Sequence, residues 1–222
     1  MADTDALQAR LEARPVVAVL PPADEPAVER AVRALLEADC AALVVPWPPP
    51  RRAERLATVR ALVGDAALVG MSAVPGPVEA RQAVRAGAQL VISAALRPAI
   101  VPVCHQAGAL CALGALTPTE ALSATEAAAD YVRVGPLDLV GGPAYLAALR
   151  AQFPWIAWLA AGEIAAETLF AYRATGAALF ELGTSLLPPL LLSPGQDAAL
   201  RAHVGRFLRT AAALPPLDDA AQ

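Results

Sequence analysis

Hydrophobic and polar positions along the chain follow two alternating rhythms. Short aliphatic or β-branched runs, bounded by turn residues, are each followed by an Ala- and Leu-rich stretch whose apolar positions recur three and four apart. The short runs predict strands over Val16 to Leu20, Ala42 to Val45, Ala67 to Gly70, Leu90 to Ile92, Leu110 to Gly114, Tyr131 to Val134, Trp155 to Ala160 and Ala178 to Leu182. The longer stretches predict helices over about Glu25 to Ala38, Ala53 to Val63, Pro77 to Ala86, Pro98 to Ala107, Pro118 to Ala128, Pro143 to Gln152, Ala166 to Thr175 and Ala198 to Leu214, after an opening helix near Asp5 to Ala13. Several begin with proline, whose missing N–H costs nothing in a first helical turn. Thr117-Pro118-Thr119-Glu120 is the sharpest local signal: an N-cap threonine, a proline at the first helical position and a glutamate placed to close a capping box.

Strand-then-helix alternation is the pattern of a parallel α/β sheet. Eight such units with no break in composition fit a single-domain (β/α)8 TIM barrel spanning 1–222. The barrel proper is expected over about 15–214, with a short flexible tail expected after residue 214. An open dinucleotide-binding sheet would place a Gly-x-Gly-x-x-Gly turn after the first strand, where this chain has Leu20-Pro21-Pro22-Ala23. Two proline-rich segments interrupt the rhythm, Pro46 to Arg52 and Leu186 to Pro194. As loops that follow strands they are expected to roof the barrel mouth partly, to offer an apolar surface, or simply to connect rigidly.

Composition narrows the chemistry. With 222 residues, 57% of them hydrophobic, the chain has ample material for one core, which excludes disorder. A net charge of −4 with singly scattered arginines gives no footprint for nucleic acid. No apolar run approaches the roughly 18 residues of a spanning helix. The acidic, polar start Met1-Ala2-Asp3-Thr4-Asp5 carries no secretory signal, so a cytoplasmic location is expected. Cys40, Cys104 and Cys111 lack Cys-x-x-Cys spacing, and His105 and His203 are far apart in sequence. The thiols are therefore expected to pack as small hydrophobes in a reducing compartment, with no metal and no cofactor required. Cys104 beside His105 is adjacency alone, because neighbours on a helix point in different directions. One count outweighs these: all 17 basic residues are arginines, so the protein has no side-chain amine.

From the third strand to the eighth, particular stretches carry a resemblance. They are Val69-Gly70, Ala86-Gly87-Ala88-Gln89 leading into Ile92-Ser93, Gly114-Ala115-Leu116-Thr117-Pro118-Thr119-Glu120, Gly141-Gly142-Pro143-Ala144-Tyr145-Leu146 with Leu149 and Phe153-Pro154, and then Gly162, Ile164 and Gly183. With these the chain resembles the 2-keto-3-deoxy-6-phosphogluconate / 4-hydroxy-2-oxoglutarate (KDPG) aldolases, class I lyases that are homotrimeric barrels. The resemblance implies a Schiff-base mechanism in which a barrel lysine forms an imine with the keto acid and the imine serves as electron sink.

The site departs from that pattern. The family's lysine lies on strand six, where this chain reads Val132-Arg133-Val134; a guanidinium stays protonated and offers no lone pair to a carbonyl. The family's acid/base glutamate, at the end of strand two, corresponds to Val44 or Val45 according to gap placement, and valine transfers no proton. Its threonine-bearing turns after strands three and seven become Gly70-Met71-Ser72-Ala73 and Ala160-Ala161-Gly162-Glu163. The arginine usual after strand one is Pro21, and that of the strand-two motif is also proline, with Arg51 or Arg52 in reach of the same space. Gly183-Thr184-Ser185 keeps the small, donor-rich character of a phosphate loop, while Glu163 sets a carboxylate beside it. A Glu163–Arg133 ion pair across neighbouring strands is the expected partner for the buried guanidinium.

No residue is thus expected to be catalytic in the family's sense. The candidate ligand-binding residues are Arg133, Ser72, Thr117, Gly162, Glu163, Gly183, Thr184 and Ser185, around a small anionic ligand. The leading reading is a degenerate family member, a pseudoenzyme kept as a scaffold, binding or assembly subunit, a homo-oligomer and trimer by resemblance, with no nucleic acid or membrane partner. The alternative is a lyase or isomerase of altered chemistry, with Arg133 binding a carboxylate, Glu163 as base, and Asp138 and the Gly183-Thr184-Ser185 loop around them.

Overall fold

The computed structural model describes residues 4–47 and 52–217, the backbone alone at 52 and 53. Its eight strands, β1 (Val16–Val19), β2 (Ala42–Pro46), β3 (Leu68–Ser72), β4 (Leu90–Ile92), β5 (Leu110–Ala115), β6 (Tyr131–Val134), β7 (Trp158–Ala161) and β8 (Ala177–Leu182), pair in parallel and in order, and β8 closes on β1. This is the expected (β/α)8 barrel.

Alternate strand residues enter two separate cores. One, with Val17, Val44, Leu68, Ile92, Ala112, Tyr131, Leu159 and Leu179, fills the barrel; the other, with Val45, Met71, Leu113, Val132, Trp158 and Phe180, lies between barrel and helices. Helix α1 (Thr4–Ala13) joins the first through Leu11, which is fully buried, and closes the N-terminal end. There the Arg10 guanidinium donates to the carbonyls of Asp65 and Ala66, and Arg14 pairs with Asp39.

The outer helices form where capping and periodicity agree. In α2 (Glu25–Glu37) the Asp24 side chain accepts from the Ala27 amide at 2.9 Å, and Val28, Ala31, Val32 and Leu35 form the buried stripe. Next come α3 (Arg52–Val63), α4 (Pro77–Arg85) and α5 (Val101–Gln106). At α6 (Pro118–Glu126) the capping box is complete, with the Glu120 amide donating to Thr117 Oγ1 and the Thr117 amide donating to Glu120 Oε2.

Several boundaries differ from the sequence pattern. β7 begins at Trp158, because Pro154 opens a turn in which the Ile156 amide bonds the Phe153 carbonyl; Trp155 is 60% exposed, edge-on to Phe153. The helices expected from Pro98 and Ala166 each open with a 3-10 turn, leaving the α-helices α5 and α9 (Leu169–Ala174) short. A one-turn helix, α7 (Leu137–Val140), precedes α8 (Gly142–Gln152); Gly141, at φ 117°, divides them. Of the two proline-rich segments, 48–51 lies outside the described residues. The other tucks inward: Leu186, Leu187 and Leu192 are buried and the Leu192 carbonyl accepts from Arg30, leaving Leu190 outermost before α10 (Asp197–Ala212). No helix among the described residues is long and apolar enough to cross a membrane.

Candidate active site

Within the eight strands, Arg133 and Glu181 are the only charged residues. Arg133 stands two residues beyond Tyr131 on β6, and Glu181 two beyond Leu179 on β8, so both point into the lumen one layer above its apolar filling. Between them on β7, Ala161 faces the same way and is small enough to let the two meet: Arg133 Nε donates to Glu181 Oε2 at 2.5 Å. The side chains are only 17% and 7% exposed, so each supplies the counter-charge that makes burial of the other tolerable.

This corrects the expected Glu163–Arg133 pair. Glu163 lies beyond the end of β7, exposed, and its carboxylate instead accepts from the Thr184 hydroxyl. Its own amide donates to Asp138 Oδ1 at 3.0 Å, tying the loop after β7 to α7. Gly162, at φ 144°, is needed for that approach: a Cβ there would stand 2.3 Å from Asp138 Oδ1 and 3.1 Å from the Leu137 nitrogen. Beside α7, burial raises the Tyr172 hydroxyl pKa and the negative charge of Asp138 adds to the rise.

The remaining candidates divide. Ser72 ends β3, buried, on the lumen-facing phase of Gly70 and Leu68, and its carbonyl accepts from the Trp47 amide at 2.8 Å. Gly183 faces open space, with nothing within 4 Å of where a Cβ would stand. Ser185 has its hydroxyl buried and its carbonyl 3.0 Å from His203 Nε2, so α10 braces this loop from behind. Thr117 does not join them: its hydroxyl is taken up in the α6 cap, donating to Glu120 Oε2 at 2.8 Å. Hydrogen bonds from the Leu116 amide, the Thr117 hydroxyl and the Thr117 amide hold the Glu120 carboxyl below its ordinary pKa.

On strand two, Val44 belongs to the inner core and Val45 to the outer one. The lumen position on β2 is therefore apolar. Arg51 and the side chain of Arg52 lie outside the described residues.

The cysteines are all buried. Burial pushes the Cys40 thiol up to about 11, and the thiol contact with Cys104, followed by burial, raises Cys111 further still, so both are poor thiolates. His105 sits 3.0 Å from Asp130, whose Oδ2 also accepts the Cys111 amide at 2.7 Å; this cluster lies at the start of β5, at the end opposite the mouth.

Glu181 is the site residue that sequence reasoning missed. The signal was present: a carboxylate inside a strand buried on both faces needs a partner, and one other strand carries a charge.

Comparison with known proteins agrees with this frame. The chain is 30% identical over 156 residues to the 2-dehydro-3-deoxy-6-phosphogalactonate aldolase of Escherichia coli (strain K12), covering 70% of this chain and 76% of that protein. A solved structure described as native KDPGal superposes with TM-score 0.79 at 28% identity, covering 90% of this chain and 97% of the other. A cube-shaped, highly porous protein cage designed by fusing symmetric oligomeric domains matches with TM-score 0.78 at 27% identity, over 89% of this chain and 73% of that one. The family model for KDPG and KHG aldolase matches residues 7–201, and the chain belongs to that family.

Proposed function

We propose that this barrel has lost Schiff-base cleavage and serves as a binding or assembly subunit whose mouth takes a small carboxylate-bearing ligand. The observation that carries this is the Arg133–Glu181 pair, in a chain with no lysine. The relatives are named as aldolases, but imine formation needs a neutral amine facing the lumen. Here that position holds a permanent cation already engaged by a carboxylate, and strand two turns Val44, which can transfer no proton, into the lumen. Ser72, Gly162 and the Gly183-Thr184-Ser185 loop are the remaining contacts we assign to the ligand, with the guanidinium edge of Arg133 not used by Glu181.

The loss of lysine, acid/base glutamate and turn threonines together, with the frame intact, is what redirected selection leaves. A cytoplasmic homo-oligomer, trimeric by family resemblance, fits the exposed Leu139, Trp155, Phe170 and Leu190 side chains. A second reading, an enzyme of altered chemistry, is favoured by one contact: Glu163, bonded to Thr184 at the rim, is a carboxylate placed to act as a base.

The test is retro-aldol cleavage of 2-keto-3-deoxy-6-phosphogluconate and 4-hydroxy-2-oxoglutarate at high protein concentration, with borohydride added to trap any imine to pyruvate. No pyruvate or glyoxylate release and no covalent adduct by mass spectrometry are expected. Turnover above a no-protein blank would overturn the proposal.

A further inference from the structure

In (β/α)8 barrels the loops after strands seven and eight hold phosphate with backbone amides and small hydroxyls. Here two of those donors, one amide and one hydroxyl, are taken from within. The Glu163 amide donates to Asp138 Oδ1 at 3.0 Å, and the Thr184 hydroxyl donates to the Glu163 carboxylate. Two negative charges thus sit where a phosphate would have to enter, and both carboxylates are exposed at the rim. The space itself is not closed, since nothing lies within 4 Å of where a Cβ on Gly183 would stand. What opposes a phosphate there is two negative charges and two engaged donors rather than bulk.

We infer that Asp138 and Glu163 are specificity-determining residues that bar phosphorylated ligands from the mouth, so that the ligand is an unphosphorylated small carboxylic acid. This rests on the reading of the mouth as a ligand site given above. Asp138 acts as a built-in anion: it takes the amide a phosphate oxygen would take, and Gly162 lets it come that close. Glu163 adds a second charge and removes the Thr184 hydroxyl from the donor set. Any phosphate must displace one carboxylate from its donor and lie beside both charges.

Titration of the full chain with inorganic phosphate and with glycerol 3-phosphate, followed by calorimetry and phosphorus NMR at constant ionic strength, tests this. The wild-type protein is expected to show no saturable binding. The double substitution Asp138→Asn/Glu163→Gln, which removes both charges with little change of shape, is expected to raise phosphate affinity at least tenfold, and each single substitution by less. Near-UV circular dichroism checks that the exposed substitutions leave the fold intact. Saturable wild-type binding as tight as that of the double variant would overturn the inference, as would a folded double variant that binds no better than wild type. The two proposals fail separately: release of pyruvate from an unphosphorylated keto acid would sink the loss of cleavage and leave phosphate exclusion standing, while an inert protein that binds phosphate would do the reverse.

Discussion

Two largely buried guanidiniums, one at each end of the barrel, are held by different partners. Arg173 lies 7% exposed near the start of β8, where its Nη1 donates to the carbonyls of Ala177 at 2.8 Å and Ala178 at 3.1 Å, residues four and five positions along the chain. Burial lowers its pKa. Arg133, near the end of β6, is held by a carboxylate 48 residues away on a strand it does not touch. The first pins a local turn through backbone dipoles and belongs to the frame. The second is a through-space charge pair that exists only once the barrel closes, and it stands at the mouth. The difference is one of origin: the Arg173 bonds come from its own turn, and the Arg133 pair comes from closure of the barrel.

The strongest way to break this contrast is to remove one member of the distant pair. Glu181→Leu strands the Arg133 charge and is expected to cost about 3 to 5 kcal/mol in urea unfolding. Arg133→Leu/Glu181→Leu together should recover most of that, since an apolar pair of similar size carries no buried charge. A double variant as unstable as the single one would show that the pair is not coupled. Arg173→Leu, by comparison, frees two carbonyls and is expected to cost about 2 kcal/mol in the same measurement, with no rescue from any change at the mouth.

Smaller effects sharpen the frame side of the comparison. Thr117→Ala removes the α6 cap and is expected to lower stability by about 1 kcal/mol while leaving ligand binding at the mouth unchanged; loss of binding would return Thr117 to the site. The smallest effect concerns pH. Because the folded Glu120 pKa is lowered, its contribution to stability is present above the ordinary carboxylate range and is lost as pH falls through the folded value. The melting-temperature advantage of wild type over Glu120→Gln should therefore be seen at neutral pH and vanish in acid.

Much of the frame was legible because it is local. The capping box at Thr117 and Glu120 depends on residues three apart, and the strand phases on alternation within five or six residues. The errors were also local competitions: Pro154 delayed β7 to Trp158, and short 3-10 turns took the starts of the helices expected from Pro98 and Ala166. Among the site residues, Arg133 was identified and its partner was not. Strand periodicity places Arg133 beside Tyr131 on one face, but does not say that Ala161 leaves room to reach Glu181, or that Asp138 from α7 captures the Glu163 amide first.

What the sequence determined alone is covalent or periodic: seventeen arginines and no lysine, hence no side-chain amine for an imine, and eight strand-helix units whose apolar phases demand burial on both strand faces. What only the tertiary structure decided is who meets whom at the mouth. Val44 faces inward rather than Val45, Arg133 finds Glu181 across β7, and Asp138 and Glu163 each engage one donor of the last two loops. The physical reason is range: capping and alternation act over a few residues, whereas a buried charge takes the counter-charge that barrel closure brings within hydrogen-bond distance.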